Sequence, residues 1–132
     1  MTPAERIIQE LAAAKAAQQD GNDGKARVCA RRAVAYATEA WLARLPVPRW
    51  QGDAMAHLRQ IQRDLSFPLS LRKAAERLST SVARQHTAPF TADPYADAKL
   101  LVAYLYSIAL ARIIHDSSSR ERTASLPAEG IS

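Results

Sequence analysis

Ala26, Ala30, Ala33, Ala37 and Ala40 recur at intervals of four and three inside the stretch KARVCARRAVAYATEAWLAR. On an α-helix that spacing gathers small side chains into a ridge, with Val34, Trp41 and Leu45 beside it for bulk, and such a ridge lets a second helix approach closely. The chain is therefore expected to fold through helix-on-helix contacts, with the helix over 25–44 at the centre. Only 4 glycines among 132 residues, and an alanine-weighted hydrophobic content of 48%, favour helix over strand along the whole length.

Local punctuation divides the chain into helices. Thr2-Pro3-Ala4-Glu5 is a capping box with proline at the first helical position, so helix 1 is expected from residue 3, with Ile7, Leu11 and Ala14 following and Ile8 and Ala12 alongside. Asp20-Gly21-Asn22-Asp23-Gly24 breaks it, and so short a connection returns helix 2 antiparallel. Leu45-Pro46-Val47-Pro48 stops helix 2, and Asp53 is placed to cap helix 3 over 54–65, whose Met55, Leu58, Ile61 and Leu65 make a narrow apolar stripe. After Phe67-Pro68, Ser70 is the expected cap of helix 4 over 71–85, with Leu71, Ala75, Leu78 and Val82 on one face and Arg72, Lys73, Glu76 and Arg77 opposite. Asp93-Pro94 announces helix 5, apolar around most of its circumference through Leu100, Leu101, Tyr104, Leu105, Ile108 and Ala111 as far as His115. The expected fold is all-α: an up-and-down antiparallel four-helix bundle with one additional short helix, helix 3, in a single domain over residues 1–116. Residues 117–132, SSSRERTASLPAEGIS, are polar and aperiodic and are expected to form a flexible tail.

The same sequence narrows the function classes. A single cysteine, Cys29, forms no internal disulfide, and the first residues lack the basic segment and apolar run of a secretory signal. The most apolar stretch, 100–111, ends at Arg112 and is well short of the roughly twenty residues that span hydrocarbon. A cytoplasmic protein without a membrane partner is expected. His57, His86 and His115 are scattered without ligand spacing, and there is neither a glycine-rich phosphate loop nor a Ser-His-Asp arrangement. No metal site and no cofactor are expected.

Two groups remain as candidate sites. Arg27 and Arg31 share a helix face, Arg32 and Lys25 lie beside them, and residues 25–49 hold six basic side chains against one acidic, equal to the +5 of the whole chain. Arg27, Arg31 and Arg32 are candidate phosphate-binding residues for RNA or nucleotide, and the same residues also read as a solvated helix face. Cys29, within this group, reads as a buried inert thiol. Arg84 and His86, followed by Asp93, Tyr95 and Asp97, are the second group. A histidine beside an arginine suits proton transfer at an RNA 2′-hydroxyl with the guanidinium on the phosphate; placed at the end of helix 4, the pair also suits its terminal carbonyls. Trp41 and Trp50, flanking Pro46 and Pro48, are expected to close one end of the bundle, with a base-stacking platform as the other reading of Trp50.

The segments KARVCARRAVAYATEAWL and AAERLSTSVARQHTAPFTADPYADAKLLVAYL resemble the HEPN superfamily, the higher-eukaryote and prokaryote nucleotide-binding domains. The resemblance implies a small helical bundle, a homodimer and an RNA or nucleotide connection. It also carries catalysis in ribonuclease members to an arginine and a histidine near the end of the penultimate helix, here Arg84 and His86. One residue separates them, a closer spacing than those members have. The expected protein is thus a non-catalytic dimeric binding module for RNA, nucleotide or a partner protein, with a metal-independent ribonuclease using Arg84 and His86 as the alternative.

Overall fold

Every regular element among the described residues is a helix. The computed structural model describes residues 1–80 and 93–107. It contains α1 (Pro3–Gln19), α2 (Asp23–Ala43), α3 (Ala54–Arg63) and α4 (Leu69–Ser79), and α5 over 94–107. The expected tail over 117–132, the end of helix 5 at His115, and the positions Arg84 and His86 lie outside the described residues.

The chain enters its helices where side-chain caps can form. Thr2 Oγ1 accepts from the Glu5 amide at 3.1 Å, Asp53 Oδ1 from Ala56 at 2.9 Å, and Asp93 Oδ1 from Ala96 at 3.0 Å, each satisfying an amide that the first helical turn leaves unpaired. The α1–α2 connection is tighter than expected. Gly21, at φ +77°, is the left-handed residue of a Schellman turn: its amide donates to Gln18 O at 3.1 Å and the Asn22 amide to Ala17 O at 2.8 Å. Asn22 then caps α2 by accepting from Lys25 N at 3.1 Å. Asp23 and Gly24, expected in the break, are therefore the first turn of α2.

Three other boundaries are corrected. α3 stops at Arg63, where Asp64 turns its carboxylate onto the Ser66 amide and hydroxyl at 3.0 and 2.6 Å. Leu65 leaves the apolar stripe and is 81% exposed. Ser70 is not the cap of α4, because the Pro68 carbonyl already accepts from Leu71 and Arg72 at 3.0 and 3.1 Å, which starts the helix at Leu69. α4 ends at Ser79 with Thr80 extended, short of the expected end at Gln85. The Ser79 and Thr80 hydroxyls both donate to Glu76 O, at 3.0 and 2.7 Å, competing with the next helical turn.

α2 is the helix that α1, α3 and α4 all meet, and α3 packs on α4. Its Ala26, Ala30, Ala33 and Ala37 are buried, as are Ala14 and Ala17 of α1, so the alanine ridge is the close α1–α2 seam. Leu58 and Ile61, Leu71 and Leu78, and Leu101 and Leu105 bring α3, α4 and α5 into the same core. A file of rings closes one end: Trp50 on Trp41 (5.5 Å between centroids), Trp41 on Phe67 (5.6 Å, edge-on), and Phe67 on Tyr104 (5.5 Å). None of the described helices is long and apolar enough to cross a membrane.

Candidate functional site

The three arginines of α2 do not share one surface. Arg31 is half-buried and its Nε donates to the Leu78 carbonyl at 2.7 Å, a cation on the last turn of α4 where the helix dipole welcomes it. Burial, and then the neighbouring Arg27 charge, pull the Arg31 guanidinium below its ordinary pKa. Arg27 is half-buried on the same face, whereas Arg32 and Lys25 are exposed. Those two act on Cys29: burial and an adjoining Glu10 carboxylate raise the thiol pKa and outweigh the lowering by Arg32 and Lys25. Cys29 is accordingly a protonated, packed thiol.

At the α4 exit Glu76 O takes the Ser79 and Thr80 hydroxyls, Arg77 O takes the Thr80 amide, and Leu78 O takes Arg31; Arg84 and His86 lie outside the described residues. Asp97 receives Arg77 in a bidentate pair, Nε to Oδ2 at 3.1 Å and Nη2 to Oδ1 at 2.8 Å, tying α4 to α5. Gln18 at the end of α1 donates to Asp93 Oδ1 at 2.8 Å and accepts from the Tyr95 amide at 3.2 Å. Asp93 and Asp97 are thus fasteners of α5. Tyr95 has the ammonium groups of Lys15 and Lys99 near its ring, at 5.7 and 5.8 Å.

A second polar group, absent from the sequence reading, stands where α2 runs into α3. His57 is 2% exposed. Its Nδ1 accepts from the Trp50 indole at 3.0 Å and its Nε2 faces Glu39 Oε2 at 3.4 Å. An indole N–H only donates, so Nδ1 carries no proton and Nε2–H points at Glu39. With both ring nitrogens engaged, His57 is not arranged as a general base. Trp50 is not an open stacking platform either: its ring leans on Trp41, and the Arg49 guanidinium lies 5.8 and 5.9 Å from the centroids of Trp41 and Trp50. Arg49 is held in turn by an ion pair with Asp64. Leu42, Pro48, Gly52 and Trp50 line the cleft over Glu39 and His57. Residues 7 and 18 positions from His57 meet there because the proline-containing loop folds back, and no periodic signal marks such a contact. Among the described residues no three His, Cys, Asp or Glu side chains gather as metal ligands do.

No known protein family, curated protein or solved structure matches this chain.

Proposed function

We propose that this chain is a HEPN-like, cytoplasmic, non-catalytic binding module that takes RNA or nucleotide phosphates on the α2 face bearing Arg27 and Arg31. The proposal includes an up-and-down antiparallel four-helix bundle, α3 being the additional short helix, and a homodimer formed through α5. The observation that carries it is the placing of two guanidinium groups one helical turn apart, half-buried on one face, with Arg31 fixed by Leu78 O. Two like charges so placed repel, adding to the larger effect of burial in depressing the Arg31 pKa, and a phosphate between them converts repulsion into charge-assisted hydrogen bonding. The chain leaves α4 at Thr80 beside this face. Arg32 is a peripheral charge on this reading.

The test is binding of a short single-stranded RNA across a salt series. Arg27→Ala plus Arg31→Ala is expected to weaken binding at least tenfold and to reduce the slope of log K against log salt by about 1.4, two contacts at roughly 0.7 each. Arg32→Ala is expected to change affinity less than threefold. Equal losses in the two variants would reduce the site to diffuse charge. Metal-free RNA cleavage that disappears in His86→Ala would replace the binding reading with the ribonuclease one.

A further inference from the structure

We propose that Glu39, His57 and Trp50 form a latch that opens when His57 is protonated, releasing the connection between α2 and α3 from the helical body. In the closed arrangement the Trp50 Nε1–H points at a bare Nδ1 3.0 Å away. A second proton on the imidazole has only Nδ1 to occupy. Two N–H donors then face each other across a distance set for one hydrogen bond, and the indole must withdraw. The opposite side of the ring gains what this side loses. The Glu39 contact, at 3.4 Å, is long for a hydrogen bond and becomes an ion pair able to shorten once the ring is charged. Protonation thus exchanges a neutral bond to the loop for a charged bond to α2.

The surroundings leave this exchange as the principal electrostatic event at the ring. α2 presents Glu39, and α3 presents His57 itself. The Asp53 carboxylate is occupied by the Ala56 amide, and Arg49 by Asp64 and the two indole faces. α4 buries Leu71, Ala74, Ala75 and Leu78, none of which titrates. On α1, Arg6 stands over Tyr36 at 5.7 Å and shares with Glu39 a cleft on its outer side. His57 itself is too deeply placed to meet water unless the loop moves.

The experiment follows the Trp50 indole N–H by nitrogen–proton NMR in the full chain between pH 8 and pH 5, the range in which imidazoles ordinarily charge, with the Trp41 indole as internal reference. A single titrating step that moves Trp50 away from its hydrogen-bonded shift is expected. His57→Asn keeps an acceptor oxygen near the Nδ1 position and removes the titration, so the Trp50 signal is expected to stay bonded throughout. Glu39→Gln is expected to move the midpoint down by about 0.3–0.7 pH unit, a two- to five-fold loss of proton affinity. Trp50→Phe removes the opposing donor, and the His57 ring resonances are expected to titrate about five-fold more readily, some 0.7 unit higher. A Trp50 signal that is static in the parent protein, a step that persists in His57→Asn, or a midpoint unmoved by Glu39→Gln or Trp50→Phe overturns the latch. RNA is absent from all of these measurements, so their outcome is independent of the phosphate-binding face.

Discussion

Asp64 has a side chain only 10% exposed, and burial by itself raises its pKa. The Ser66 hydroxyl and amide and the Arg49 guanidinium together outweigh that, leaving the carboxyl below its ordinary value. A carboxyl with a depressed folded-state pKa contributes stability that is fully present above the unfolded value near 4 and is lost as pH falls through the folded value. Asp64→Asn is therefore expected to lower stability by about 1–2 kcal/mol at pH 7, with the gap to the parent closing as pH falls below about 4. Urea unfolding at several pH values measures this, and a gap that widens in acid would contradict it. Gly52 poses a steric question a few residues away. It sits at φ +142°, and a Cβ there would stand 2.5 Å from the Ala56 Cβ. Gly52→Ala is expected to cost about 2–4 kcal/mol, and adding Ala56→Gly to relieve the clash without recovering the backbone strain. Thermal unfolding of both variants separates the two contributions.

At the scale of whole elements, what could be read in advance was what depends on near neighbours in sequence. Thr2, Asp53 and Asp93 announce their helices because a cap needs only an acceptor and an amide two or three residues on. The Asp20–Gly24 run was harder, since the residues that break one helix are those that cap the next. Gly21 ends α1 and Asn22 begins α2 without a spacer. Asn22→Ala is accordingly expected to cost about 1 kcal/mol and Gly21→Ala about the same through the left-handed backbone, whereas an ordinary loop would tolerate both; chemical denaturation decides. The end of α4 was misread because Val82 continues the apolar spacing, which carries no sign of two hydroxyls taking Glu76 O. The Glu39–His57–Trp50 group was invisible for a related reason: its members come from α2, a loop and α3. Of the basic face, the Arg27–Arg31 pairing was legible from the four-residue spacing, while the Arg31 bond to Leu78, 47 residues away, was not.

For the molecule as a whole, the balance of charge and apolar surface bears on self-association. α5 buries Ala98, Leu101, Val102 and Leu105 against the core and leaves Leu100 43% and Tyr106 37% exposed on other sides. In the proposed dimer these residues would meet the second copy, with the α2 face as the other interface the sequence offers. Each chain carries +5, so any pairing works against mutual repulsion, and an added charge at the seam is felt both as lost apolar burial and as a further like charge. Leu100→Lys is expected to weaken dimerisation at least tenfold, since covering a leucine side chain contributes about 1.5–3 kcal/mol. It should leave the stability of the separated chain within about 0.5 kcal/mol of the parent, because Leu100 lies on an exposed side of α5 and outside the core. Leu65→Lys makes the same charge change at an 81% exposed residue beyond the end of α3 and is the control for repulsion alone. Sedimentation equilibrium over a concentration series compares the three proteins. A parent chain that stays monomeric removes the dimer from the proposal, and equal weakening by the two lysines assigns the effect to net charge and moves the interface away from α5.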